Sequence, residues 1–501
     1  MKKFLALLAF SSLLFVSCLS DDAQPPVFNV PMPPTPNYSS GDADFSNFVS
    51  VGNSLTAGYS DNALFIDGQT ASFPNMMASS FEQVGGGSFE IPFMADNLGG
   101  ATLGGQPILG NRLFLSFATG SPAPIPVSGT GTTEIGVVLP GPFNNMGVPG
   151  AKSFHLLAPG YGNAAGVPIG AANPYYARFA SSPNATILGD AAGQAPTFFS
   201  LWAGNNDVLS FATSGGAGVD QKMNPDPSTY GGNDITSPLA FAGVYNGILQ
   251  TLTAGGAKGV VANIPDVASI PFFTTVPHNP IPLDAATAGA VNSAYAAYNG
   301  GLAQLQMLGA ISAEEVTRRT ISFSAGATNA AVMIDEDLTD LTSFNPALIN
   351  MRQTTADDLM VFTSQTVIGT LADPNNPASV NGVGVPLGDQ WVLTPEEQAM
   401  IAEATMAFNQ IIAEAAVTFD LAFVDANAFQ NVLNAGGIPL NDGTTVTATY
   451  GTGGGFSLDG VHPSPRGYAL LANKFLEAIE TKYGASLPKA APEAFTGVYI
   501  E

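Results

Sequence analysis

The chain of 501 residues has a single cysteine, Cys18, and only three histidines, His155, His278 and His462. A lone thiol cannot close an internal disulfide or build a cysteine-based metal centre. Basic residues are also scarce: 14 Lys and Arg stand against 39 Asp and Glu, a formal net charge of −25. A surface this acidic repels phosphate backbones, so no nucleic acid is expected as a partner. Beyond the first residues, no uncharged apolar run approaches the ~20 residues that a membrane helix requires. Charged residues make up only 11 % of the chain, yet the hydrophobic share of 46 % argues against disorder. What the chain has in quantity is glycine (56) and proline (38), which points to long ordered loops around a packed core.

The first residues read as an export signal. Lys2 and Lys3 supply a positive start, and residues 4–16 form an apolar stretch too short to span a bilayer comfortably. The stretch ends at Phe15-Val16-Ser17-Cys18, which resembles the lipobox of bacterial lipoproteins, with phenylalanine where leucine is usual. The resemblance implies that residues 1–17 are removed and that Cys18 becomes a lipidated N-terminus. Such a protein is exported and held on the outer membrane by acyl chains alone. The acidic Ser20-Asp21-Asp22 is similar to surface-export signals of Bacteroidetes lipoproteins. The other reading is an ordinary secretory signal with an incidental buried cysteine. If Cys18 carries lipid, no thiol remains for catalysis. Residues 18–44, rich in Pro, Ser and Asp without apolar period, read as a tether.

From about residue 45 the pattern becomes strand, loop, helix. Phe48-Val49-Ser50-Val51, the run 197–202, the run 259–264 and Leu421-Ala422-Phe423-Val424 are short and continuously apolar, which suits strands buried on both faces of a parallel sheet. Helices are expected over 239–252 behind Ser237-Pro238, over 284–308, from the capping box Thr394-Pro395-Glu396-Glu397 to about 418, and over 466–483. Alternating strands and helices imply a layered α/β/α domain, with its ligand site beyond the carboxyl ends of the strands. One domain over 45–485 is expected, followed by a tail over 486–501. Gly/Pro-rich or irregular stretches at about 85–142, 209–236 and 320–389 read as insertions that wall or cover a pocket.

Four loops carry candidate chemistry. Asp459 and His462 stand three apart in Ser457-Leu458-Asp459-Gly460-Val461-His462-Pro463, where a carboxylate can hold imidazole Nδ1–H and leave Nε2 to accept a proton. Ser54, in Gly52-Asn53-Ser54-Leu55, follows the first strand directly; it suits a nucleophile, or merely a helix cap. It lacks the second glycine of a Gly-x-Ser-x-Gly elbow. Asn145-Met146-Gly147-Val148-Pro149-Gly150 and Gly204-Asn205-Asn206-Asp207 offer a backbone N–H and a side-chain amide. A serine esterase needs such donors against its oxyanion; ordinary turn chemistry also favours Asn and Gly. Asp335-Glu336-Asp337 with Asp340 is a weak calcium candidate without the EF-hand glycine and spacing; a solvated acidic loop is the reading preferred, and no metal is expected. His155 either lines a pocket or is a surface or helix-capping histidine, the second reading being preferred.

In this order the four loops resemble blocks I, II, III and V of the SGNH/GDSL hydrolase superfamily. The resemblance spans residues 45–483 and implies a three-layer α/β/α sandwich, flavodoxin-like, with a five-stranded parallel sheet and here large loop insertions. It implies Ser54 as nucleophile, Asp459 and His462 as the rest of a triad, and Ser54 N–H, Gly150 N–H and Asn206 as oxyanion donors, without cofactor. Asn53 departs from the family's aspartate at a position outside the triad. The activity implied is hydrolysis of a small-molecule, lipid or glycan ester. Carbohydrate O-acetylesterase, acyltransferase and non-catalytic surface binder stay open as alternatives.

Overall fold

Five short segments pair into one all-parallel sheet in a computed structural model that describes residues 37–118 and 120–500. They are β1 (Phe48–Gly52), β2 (Asn145–Gly147), β3 (Phe198–Trp202), β4 (Lys258–Ala262) and β5 (Ala422–Val424). Their spatial order is β5-β4-β3-β1-β2, so the chain winds outward in both directions from β1 and β3. Neighbours on either side of that reversal leave a crevice at the strands' carboxyl ends. Residues 1–36, which include Cys18 and the expected signal segment and most of the tether, lie outside the described residues.

The strands are largely apolar because both faces of the sheet are covered. Phe48, Phe198, Trp202, Val260 and Ala422 pack on one face, and Val49, Val51, Phe199, Leu201 and Val261 on the other. The one polar pair between β1 and β3 is satisfied internally: Ser50 Oγ lies 2.6 Å from Ser200 Oγ. The principal helices are α1 (Ser54–Ala57), α2 (Phe73–Glu82), α3 (Asn206–Thr213), α4 (Pro238–Thr253), α5 (Ala285–Met307), α6 (Pro395–Thr418), α7 (Ala426–Ala435) and α8 (Pro465–Tyr483). Helices α2, α7 and α8 cover the first face, through Phe73, Phe429 and Phe475. Helices α4 and α6 cover the second, through Tyr245 and Phe408. This is an α/β fold whose arrangement is compatible with a three-layer sandwich.

The helix starts follow their caps. Ser237 accepts from Leu239 N–H ahead of Pro238, and Thr394 and Glu397 form a reciprocal capping box. The alanine-rich α5 does not lie on the sheet. It packs into a third apolar core with Phe323, Met333, Leu348 and Met351, whose residues run from Val276 to Val392. The segment Asn145–Gly147, legible only as a glycine-bearing loop, is the edge strand β2, paired to Ser50–Gly52. Residues 38–500 belong to one compact unit. Among the described residues no helix is long and apolar enough to cross a membrane.

Candidate active site

The strand β1 ends at Gly52, and the chain turns at once into α1. Asn53 makes that turn possible: its Oδ1 caps Leu55 N–H at 3.0 Å, and its Nδ2 donates to Asn205 Oδ1 at 3.0 Å. Ser54 is thereby the first residue of α1, with a side chain at the carboxyl edge of the sheet. Its Oγ lies 2.8 Å from His462 Nε2. His462 Nδ1 lies 2.9 Å from Asp459 Oδ2. The serine, the imidazole and the carboxylate therefore form one continuous hydrogen-bonded line across 408 residues of sequence separation.

Asp459 is held from every side. Oδ1 accepts from Val461 N–H and His462 N–H, both at 2.8 Å, and from the Ser457 hydroxyl at 3.1 Å. Oδ2 accepts from Asn62 N–H at 3.0 Å besides the imidazole. Burial works to raise this carboxyl, but the charge and hydrogen bonds of His462, with Val461 N–H, outweigh it and hold the acid below its ordinary value. An ionised Asp459 fixes the Nδ1–H tautomer and leaves Nε2 to accept the Ser54 proton.

A turn that the sequence reading passed over completes this support. Ser60 and Ala63 exchange both backbone hydrogen bonds, and Asp61 (φ +50°) and Asn62 (φ +64°) sit between them in left-handed conformation. That geometry, tolerated by Asp and Asn better than by most residues, aims Asp61 N–H at Ser457 Oγ (2.9 Å) and Asn62 N–H at Asp459 Oδ2. The adjacent Asp-Asn pair was the available signal. The Asp61 side chain is almost wholly buried, with Oδ1 accepting from Leu458 N–H at 2.9 Å and Oδ2 unpartnered. Burial, with the nearby Asp459 charge, pushes its pKa up to about 7 against the pull of Leu458 N–H and Arg112.

The expected oxyanion donors sit on the neighbouring loops. Ser54 N–H and Gly150 N–H find no acceptor among the described residues. Gly150 is exposed and adopts φ +80°, a conformation suited to glycine. Its loop is pinned by Asn173 Nδ2 on Pro149 O at 2.8 Å. Asn206 opens α3 and donates one amide hydrogen to Ala151 O at 2.9 Å, leaving the other. Asp207 locks the same two loops together, accepting from Ser153 N–H at 2.8 Å and Ser153 Oγ at 2.6 Å. Ser54, Asn206 and His462 line one cavity, whose remaining wall is mostly apolar, with Leu55, Leu209, Ile270, Phe429, Leu433 and Val461 beside the polar Asn205 and Gln430.

The other histidines stand apart from this cavity. His155 Nδ1 accepts from Lys152 N–H at 3.1 Å and its ring stacks on Tyr161, so it caps a short 3-10 turn. Burial and the Lys152 charge push its pKa down to about 4, consistent with a neutral ring. His278 offers its backbone carbonyl to the Thr354 hydroxyl at 2.6 Å. No family model matches this chain, and no curated protein or solved structure matches it either.

Proposed function

We propose that the protein is a serine hydrolase that cleaves carboxylic esters, with Ser54 as nucleophile, His462 as general base and Asp459 as the acid that orients it. Within that class, the order of its four loops and the 2-1-3-4-5 sheet favour a member of the SGNH/GDSL hydrolase superfamily. The observation that carries the reading is the unbroken line from Ser54 Oγ through His462 to Asp459, at 2.8 and 2.9 Å.

In the first half-reaction, His462 Nε2 takes the Ser54 proton as Oγ bonds to the ester carbonyl carbon. Ser54 N–H, Gly150 N–H and the free Asn206 amide hydrogen receive the oxyanion. The imidazolium, balanced by Asp459, then protonates the departing alcohol. Water repeats the sequence on the acyl-enzyme and releases the acid. The apolar wall beside Ser54 favours an acyl group of hydrocarbon character over a sugar at that subsite. A series of p-nitrophenyl esters from acetyl to palmitoyl, run beside acetylated glycans, tests this. Faster turnover of the alkyl esters is expected; turnover of acetylated glycans alone would refute the acyl-pocket reading.

Export and attachment through lipid at Cys18 belong to the same proposal and rest on the lipobox-like run before it. Palmitate labelling that persists in Cys18→Ser would refute the anchor.

A further inference from the structure

Far from Ser54 in sequence, three acidic side chains meet from three segments. Glu336 follows the strand Val332–Ile334, Asp389 opens the short turn Asp389–Trp391, and Glu397 lies in the first turn of α6. One carboxylate oxygen of each lies within 4.8 Å of one from each of the others. Two oxygens bound to opposite sides of a calcium ion, at Ca–O distances of about 2.3–2.6 Å, stand about 4.6–5.2 Å apart, so the spacing is within reach of one ion.

Proximity of acids alone makes no site, and a second observation sets this group apart. Glu397 is 4 % exposed, and its two oxygens are treated differently. Oε2 accepts from Thr394 N–H at 2.7 Å and the Thr394 hydroxyl at 2.9 Å, closing the capping box. Oε1 is buried without any hydrogen-bond partner, as is Asp389 Oδ1. A bare buried carboxylate oxygen is costly unless something positive meets it. The nearby guanidiniums are already engaged: Arg318 by Asp335 and Glu396, Arg352 by Asp335 and Asp358. The backbone closes in on the same oxygen, since a Cβ on Gly216 (φ +86°) would fall 1.7 Å from Glu397 Oε1. That glycine therefore supplies no side-chain partner to this oxygen.

We infer that Glu336, Asp389 and Glu397 bind a divalent cation of the calcium class. Hard carboxylate oxygens at irregular spacing suit calcium, whose shell is flexible, whereas magnesium demands a tighter, near-octahedral shell. The ion would tie the third core, which carries Glu336, to α6, which packs on the sheet. It would also brace the turn after α3, the helix that Asn206 opens. The acidic run singled out in the sequence contributes only one ligand. Asp335 is committed to the two arginines, and Asp340 caps Thr342 N–H at 2.9 Å. This inference stands whether or not Ser54 is a nucleophile.

The test is calorimetric titration of the full, EDTA-stripped chain with calcium chloride, paired with thermal melting. Binding of a single equivalent is expected, together with a rise in melting temperature of about 3 °C or more at saturating ion. Asp389→Asn and Glu397→Gln should each weaken binding at least about tenfold and remove the thermal shift. Glutamine retains a capping acceptor for Thr394. If either variant misfolds, Glu336→Gln, on the exposed ligand, provides the same readout. Absence of heat and of any shift at about 10 mM calcium would overturn the inference. So would unchanged binding in the variants. Stabilisation of Glu397→Gln in EDTA with no calcium response in wild type would instead identify a proton-sharing carboxyl pair.

Discussion

Two buried carboxylates in this molecule are handled in opposite ways. Asp459 receives five hydrogen bonds, from Val461, His462 twice, Ser457 and Asn62, and its pKa is held below the ordinary carboxylate value. Glu397 has one oxygen capped and one bare, and burial, with the charges of Asp389 and Glu336 nearby, pushes it up to about 8. Asp459, the acid of the proposed triad, is surrounded by donors from its own chain. Glu397, bare on one side among other acids, is the carboxylate for which a cation is proposed. Burial is common to both, so burial alone says little about function; the count of donors tells them apart.

The widest separation between the two regions should come from neutralising the triad acid. Asp459→Asn turns an amide donor toward His462 or Asn62 N–H, favours the wrong imidazole tautomer and is expected to lower kcat about 10⁴-fold with the fold intact. Near-normal kcat would remove Asp459 from the triad. Asn206→Ala comes next. It deletes the amide hydrogen that remains after the bond to Ala151 O, and is expected to reduce kcat about 10²–10³-fold with little change in KM. An effect confined to KM would assign Asn206 to ground-state binding instead.

Asp61 lies between the two extremes, and it sharpens the contrast through stability. Its folded pKa, about 7, is above the unfolded value. Between about pH 4 and 7 the folded chain therefore keeps a proton that the unfolded chain has lost, and this site's contribution to stability falls as pH rises through that window. The groups facing it include Asp459, Arg112, the Leu458 amide, the Ser60 hydroxyl and Tyr450, Tyr468 and Tyr499. Asp61→Asn should lack that part of the decline, being more stable than wild type by about 1–3 kcal/mol at pH 8 and similar at pH 4. Urea unfolding at the two pH values measures it. A parallel pH dependence in both proteins would show that Asp61 ionises freely.

Much of this arrangement was legible in the residues. Strands β1, β3, β4 and β5 stand out because burial on both faces demands continuous apolar runs, and α4 and α6 because their caps are local chemistry. Strand β2 did not, because Asn145 and Gly147 have poor strand propensity and their conformation is set by pairing with Ser50–Gly52. Ser54, Asp459 and His462 could be named because each stands in a short distinctive run. The Asp61-Asn62 turn was missed because its role lies in where two backbone N–H groups point. Glu336, Asp389 and Glu397 are scattered, and adjacency drew attention to Asp335 and Asp340, which the fold commits to arginines and a turn.

The central claim, an activated Ser54, is tested most directly by treating the folded protein with a fluorophosphonate probe and mapping the adduct by peptide mass. A single adduct on Ser54, absent from Ser54→Ala, is the expected result. A folded wild-type protein that takes no label, or takes it at another residue, would contradict it.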